Sequence, residues 1–229
     1  MITVALPKGR TLQATLDRFA RAGLSPEEDF AATRKLIVPA RGAGARFLLL
    51  KDPDVPLYVE RGAADLGVCG LDHVLESDAD LLVPLDLGFG ACRLCLAAPR
   101  DSGVARGWRS GESSAEKGRS LRVATKYPRS ARAFFDRINV TTELIKLHGS
   151  VELAPATGLA DAILDIVATG RTLRANRLVE VAEAGRSTAR FIVNQASLKT
   201  RSEAVTALAA GLRRAVEDRA AARAAGGVA

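Results

Sequence analysis

Apolar residues in this chain come in short runs divided by charged or turn-forming segments. Ile2–Leu6 is an almost continuous apolar run, the pattern of a buried strand, and Leu12, Leu16, Phe19 and Ala20 then recur at helical spacing. Thr33–Pro39 predicts a strand with cations at its entrance, Phe47–Leu50 a short strand, and Gly62–Gly70 a strand running into a turn, with a helix opening at Leu71. Strands are expected at Leu81–Leu85 and Cys92–Ala98. Gly, Ser, Arg and Glu dominate Asp101–Ser120 around a lone Trp108, which predicts a loop or linker. Alternation returns at Leu121–Thr125, and Ala131, Phe134, Phe135 and Ile138 share one face of a helix over Arg129–Ile138. Thr142–Leu147, Leu178–Ala182 and Ala189–Asn194 read as further strands. A final Ala- and Arg-rich helix, Glu203–Ala225, carries the stripe Val205, Leu208, Ala209, Leu212 and Val216 and ends in Gly226-Gly227. Strands alternating with helices argue for an α/β fold with parallel βαβ units.

The most informative stretch is Ala162–Leu173. Its apolar strand Ala162-Ile163-Leu164 delivers Asp165 and then breaks at Ala168-Thr169-Gly170-Arg171-Thr172-Leu173, a turn able to open a helix. Gly170 lets the backbone approach a ligand. Thr169 and Thr172 add hydroxyls to backbone N–H groups at a helix start, where an anion is favoured. Asp165 can accept hydrogen bonds from a diol. An acid beside a phosphate cradle fits a ribose 5-phosphate, although Thr/Gly strand–turn–helix junctions also occur in α/β proteins without such a ligand.

With 229 residues the chain has room for one large or two small domains. Hydrophobic residues are 48% and aromatics only 4%, so the core must be built from Ala, Val, Leu and Ile. No apolar run approaches the ~20 residues that span a bilayer, and the N-terminus is too mixed for a signal peptide. Three cysteines make no disulfide framework, and a cytoplasmic protein is expected. The net charge of +7 admits nucleic acid, a membrane surface or a polyanionic substrate. The cations are scattered and stacking aromatics are few, so neither nucleic acid nor membrane is expected as partner. Local cation sites fit a small polyphosphate better. Lys8-Gly9-Arg10 is one, a strand-to-helix turn that is otherwise an ordinary exposed loop. Lys126 stands at the C-terminal end of a strand, where ligand groups collect in open α/β sheets. Cys92 and Cys95 have the spacing of a metal pair, but residues three apart on a strand face opposite ways, so structural cysteines are the better reading.

The Asp165–Leu173 loop together with Gly149–Pro155 resembles the ATP phosphoribosyltransferase family, which opens histidine biosynthesis. Glu152, Gly158, Ala160, Ile163, Asp165, Thr169, Gly170, Thr172 and Leu173 fill the places of its signature. The lysine–glycine–arginine turn at Lys8–Arg10 and the Arg34-Lys35-Leu36 strand have counterparts as well. The resemblance implies a two-lobed fold like that of type II periplasmic binding proteins, with the active site in the interlobe cleft. Lobe 1 would be residues 1–89 and 185–229, and lobe 2, carrying the phosphoribosyl loop, 90–184. It implies that Asp165 and Ala168, Thr169, Gly170, Arg171, Thr172 and Leu173 bind phosphoribosyl pyrophosphate, and that Arg10 and Arg34 neutralise departing pyrophosphate. Gly70 and Asp72 fall on a turn it places at the active site, although Asp72 also reads as a helix cap. Lys8, Arg93, Lys126 and Glu152 join these two as candidates for ATP. Mg²⁺ would arrive on the polyphosphate substrates rather than on a dedicated ligand cluster.

Two departures from the family pattern stand out. Ala168 occupies a position often polar in the family, so only its N–H can serve the phosphate. There is no room after the core for the regulatory domain of the long form. A short form is therefore expected, a homodimer within a hetero-oligomer that includes a regulatory subunit resembling class II histidyl-tRNA synthetase. Two alternatives share parts of the pattern. A phosphoribosyltransferase with another acceptor base gives no reason for the Glu152 segment, and a solute-binding or sensor domain of the same bilobed fold would carry no chemistry.

Overall fold

The computed structural model describes residues 1–42, 44–110 and 120–226. Residues 111–119 of the stretch expected to be a loop, and Gly227 of the expected tail, lie outside the described residues. The chain divides into two compact units, Met1–Gly90 with Thr188–Ala229, and Ala91–Ser187.

In the first unit the chain order is β1 (Ile2–Pro7), α1 (Leu12–Arg21), β2 (Ser25–Pro26), β3 (Ile37–Arg41), β4 (Ala45–Leu50), α2 (Val55–Glu60), β5 (Leu66–Gly70), α3 (Leu71–Ser77) and β6 (Leu82–Asp86). A seven-stranded sheet runs β2-β3-β4-β1-β5-β12-β6, where β12 (Ala189–Val193) belongs to the returning segment. Strands β4, β1 and β5 are parallel, so the segments that follow them leave from one edge. Burial on both faces explains why β1 reads as a continuous apolar run. Val4 and Leu6 join Phe19, Phe47 and Phe191 on one side, and Ala5 joins Val55, Val59 and Ile192 on the other. Gly67 on β5 allows α2 to lie close, since a Cβ there would meet Val59 at 2.8 Å and Val55 at 2.9 Å. The strand expected over Thr33–Pro39 is displaced to Ile37–Arg41, with Val38 and Ala40 inward. The Thr33 hydroxyl accepts the Lys35 N–H at 3.2 Å, a local bond that competes with strand pairing.

The returning segment continues as α7 (Gln195–Thr200) and α8 (Ser202–Gly226). Asp65 ties it to the sheet: its carboxylate accepts the Thr3 N–H at 2.8 Å and the Ser197 hydroxyl at 2.6 Å, and pairs with Arg201. Val205 and Leu212 of α8 complete the core over α1.

The second unit contains β7 (Cys92–Pro99), α4 (Gly103–Ser110), β8 (Leu121–Thr125), α5 (Pro128–Arg137), β9 (Thr142–Lys146), β10 (Ala162–Val167), α6 (Arg171–Ala175) and β11 (Leu178–Ser187). Its sheet order is β11-β7-β10-β8-β9. The βαβ reading holds for β8, β9 and β10, which are parallel, whereas β7 runs antiparallel to both of its neighbours, β10 and β11. Phe134, Phe135, Leu94, Leu96 and Leu164 fill one face, and Val151, Ile163, Val167, Leu173 and Leu178 the other.

Part of the expected linker is helical. In α4 the Ser102 hydroxyl accepts the Ala105 N–H at 3.1 Å, a cap for a helix that buries Val104 and Ala105. The Leu178 strand runs five residues further than expected, to Ser187, past two bulges against β7. Among the described residues no helix is long and apolar enough to cross a membrane.

Candidate active site

Strand periodicity places Asp165 on the same face as Ile163 and Val167, opposite its register partner Cys95 on β7. Its carboxylate accepts the Ile166 N–H at 2.8 Å. Burial lifts the Asp165 pKa above the usual carboxylate value, the Ile166 N–H and positive Lys126 pull against that rise, and negative Glu152 adds to it. Lys126 and Glu152 are therefore within electrostatic reach of the acid. Lys126 follows β8 on a turn set by buried Thr125, whose hydroxyl donates to the Leu164 carbonyl at 2.6 Å and accepts the Tyr127 N–H at 2.9 Å. Glu152 sits in a short 3-10 turn, Val151–Leu153, with Val151 anchored in the core beside β10.

Beyond β10, Ala168 and Thr169 are exposed, and Gly170 opens α6 with φ of +70°, a backbone state that suits glycine. Arg171 and Thr172 are exposed in the first turn and Leu173 is its buried anchor. N–H groups of a first helical turn have no carbonyl within the helix to bind. Arg174 donates to the Thr169 carbonyl at 3.2 Å. Arg93, the register partner of Val167, is held by Glu180 at 2.9 Å with Glu183 at 3.9 Å. The Cys95 thiol donates to the same Glu180 at 3.4 Å, and burial, then Glu180, push its pKa up to about 12. Asp165, Lys126, Glu152, Arg93 and the 168–173 loop thus gather at one part of the second unit.

The other candidates belong to the first unit. Lys8 and Arg10 follow β1, and the Lys8 N–H binds the Leu50 carbonyl at the end of β4 at 2.7 Å. Gly70 ends β5 and is the cap residue of α3, so Asp72 is in the first turn of that helix and is not its cap. The expected cap is displaced because Gly70 is extended and the Leu71 N–H goes to the Thr188 carbonyl at 3.0 Å. Asp52, just after β4, has its pKa raised by burial; His73 and Arg10 oppose the rise and Asp72 adds to it. These four side chains therefore share one electrostatic neighbourhood. Arg34 precedes β3, which starts where antiparallel β4 ends, with the Leu49 N–H on the Leu36 carbonyl at 2.8 Å. Arg34 thereby sits at the same sheet edge as Lys8 and Arg10.

A family model described as HisG: ATP phosphoribosyltransferase matches residues 51–214. The chain belongs to the ATP phosphoribosyltransferase family. The matched span includes the Glu152 turn and the whole Asp165–Leu173 loop. Similar proteins of that name come from Geobacter metallireducens, 43% identical over 94% of this chain and 98% of the relative, and from Moorella thermoacetica, 46% identical over 94% and 93%. The ATP phosphoribosyl transferase (HisG:HisZ) complex from Thermotoga maritima contains a chain that is similar with TM-score 0.79 and 30% identity, over 95% of this chain and 100% of that one. The alkanesulfonate-binding protein SsuA from Xanthomonas axonopodis pv. citri is similar in fold, with TM-score 0.56 and 15% identity over 96% of this chain and 75% of that one. This member of the ATP phosphoribosyltransferase family thus has the α/β fold of type II periplasmic binding proteins.

Three charged residues beside the candidate positions escaped the sequence reading. Asp52 had a readable signal, since it follows a strand parallel to β1. Arg174 lies one turn beyond Gly170, just past the end of the Asp165–Leu173 loop. Glu180 had none: its pairing with Ala97 puts it on the face of β7 that Cys95 and Arg93 share, and the two bulges that follow bring Glu183 and Arg186 to that same face.

Proposed function

We propose that the Asp165–Leu173 loop is the phosphoribosyl pocket of this ATP phosphoribosyltransferase. The enzyme transfers the phosphoribosyl group of phosphoribosyl pyrophosphate to N1 of ATP, giving N1-(5-phosphoribosyl)-ATP and pyrophosphate, the first step of histidine biosynthesis. The single observation that carries the pocket assignment is a half-buried carboxylate near the end of β10, followed five residues later by a left-handed glycine that opens a helical turn.

Asp165 accepts hydrogen bonds from the ribose hydroxyls, and the N–H groups and hydroxyls of Ala168–Leu173 take the 5-phosphate. In the chemical step the adenine N1 lone pair forms a bond to the anomeric carbon while the bond to pyrophosphate oxygen breaks. A ring nitrogen brings its own lone pair, so no general base is needed to start the attack. The residues work by positioning and by charge stabilisation. Arg10 and Arg34 neutralise the charge that builds on pyrophosphate. Lys8, Gly70, Asp72, Lys126 and Glu152 serve ATP. Arg93, already paired with Glu180 and Glu183, contributes to ATP binding with charge that those acids partly offset.

Among the described residues no three His, Cys, Asp or Glu side chains converge as metal ligands. Mg²⁺ would arrive on the substrate phosphates, where it would supply charge neutralisation. We place the enzyme in the cytoplasm, with its nucleotide substrates. The Thermotoga maritima relative was solved as a HisG:HisZ complex, which supports a regulatory partner of that kind for this chain, bound to a homodimer.

The test is to incubate the chain with ATP and phosphoribosyl pyrophosphate, with and without the candidate partner, and follow N1-phosphoribosyl-ATP by ultraviolet absorbance. Asp165→Ala and Thr169→Ala are expected to cut turnover in both conditions. Full turnover in both variants would remove the loop from the active site.

A further inference from the structure

Gly170 is flanked by two charged side chains that have no direct part in the transfer. A Cβ at Gly170 would lie 3.2 Å from Arg174 Nη1 and 3.5 Å from Glu180 Oε1. The other terminal nitrogen of Arg174 donates to the Thr169 carbonyl at 3.2 Å. Glu180 is itself fixed: Arg93 reaches its two oxygens at 2.9 and 3.2 Å, and the Cys95 thiol donates to it at 3.4 Å. In a trans peptide the carbonyl of one residue and the N–H of the next point in opposite directions. Holding the Thr169 carbonyl on Arg174 therefore turns the Gly170 N–H the other way.

We infer that Arg174 and Glu180 are positioning residues for the donor's 5-phosphate. Arg174 sets the Thr169–Gly170 peptide plane so that the Gly170 N–H is presented to the phosphate. Glu180 keeps the guanidinium on the carbonyl side instead of letting it swing toward the incoming anion. Arg93 and Cys95 thus fix the Glu180 carboxylate beside Gly170, and Arg174 fixes the Thr169 carbonyl. This rests on the reading of the loop as the phosphoribosyl pocket.

The experiment compares the full chain with Arg174→Met, Arg174→Lys and Glu180→Gln, measuring KM for each substrate. In parallel, the Gly170 amide resonance of ¹⁵N-labelled protein is followed as ribose 5-phosphate is added. Arg174→Met is expected to raise KM for phosphoribosyl pyrophosphate about tenfold, the size of one lost hydrogen-bonding role, with KM for ATP nearly unchanged. It should also abolish the ligand-induced Gly170 shift seen in the native chain. Lysine should recover part of both effects, and Glu180→Gln should give a smaller rise of the same kind. A native KM and Gly170 shift in Arg174→Met would overturn the inference, as would an equal rise in both KM values, and Glu180→Gln decides if that variant does not fold. A native chain whose Gly170 resonance ignores ribose 5-phosphate, with Asp165→Ala harmless, would instead overturn the pocket assignment and this inference with it.

Discussion

Replacing Gly170 by alanine separates the shape of the loop from its side-chain chemistry. At φ of +70° an L-residue carries strain of roughly 1–2 kcal/mol. The alanine also restricts the unfolded chain, which returns about 0.4–1 kcal/mol. The new Cβ would sit 3.2 Å from Arg174 Nη1, so that flexible side chain must give by a few tenths of an ångström. This weakens its hydrogen bond to the Thr169 carbonyl, which is worth up to about 1 kcal/mol. The net loss is therefore about 1–2 kcal/mol, and a unit of this size should unfold several degrees lower, at roughly 4–8 °C per kcal/mol. Function should suffer more than stability. Each misdirected hydrogen bond to a charged phosphate costs about 1.5–3 kcal/mol, so kcat/KM for phosphoribosyl pyrophosphate should fall roughly 10- to 100-fold. Thermal melts and steady-state kinetics on the purified variant test both numbers. A native melting point together with native kcat/KM would refute the idea that this cradle needs a left-handed residue.

Other outcomes follow from the same structure. The raised pKa of Asp165 means that this side chain favours folding when protonated. Its contribution is fully present below the ordinary carboxylate value of about 4 and is lost as pH rises through the higher folded value. Asp165→Asn should therefore be inactive yet more stable than the native chain in urea at pH 7, the two converging at acid pH; a less stable variant at pH 7 would contradict the assignment. Asp65→Ala strands the buried Thr3 N–H and the Ser197 hydroxyl and frees Arg201, so urea melts should show roughly 2–3 kcal/mol of lost stability. A change below about 0.5 kcal/mol would show that Asp65 does little to hold the returning segment. With its thiol near 12, Cys95 should resist iodoacetamide at pH 8 in the folded protein and label readily after unfolding, as mass spectrometry would read.

Elements buried on both faces or carrying a clean stripe were the legible ones. Ile2–Leu6, Phe47–Leu50, Leu121–Thr125 and the helix with Phe134 and Phe135 form where apolar spacing places them. The α4 helix was hidden because its two buried residues, Val104 and Ala105, sit in a polar stretch that looks like a linker. The start of β3 moved because a threonine side chain captured the backbone ahead of it. In the candidate site, the Asp165 loop was readable because acid, turn and helix start are contiguous in sequence. Glu180 was not, because its place depends on the pairing of β11 with β7, a strand distant in sequence. The state of Arg93 was equally hidden. Its chain position suggests a free cation, but the fold places two acids beside it.

The decisive measurement is a structure of the chain bound to phosphoribosyl pyrophosphate. The 5-phosphate is expected within about 3.2 Å of backbone N–H groups in the 168–173 loop, with the ribose hydroxyls on the Asp165 carboxylate. Donor bound with its phosphate away from that loop, or with Asp165 out of hydrogen-bond reach of the ribose, would contradict the pocket assignment.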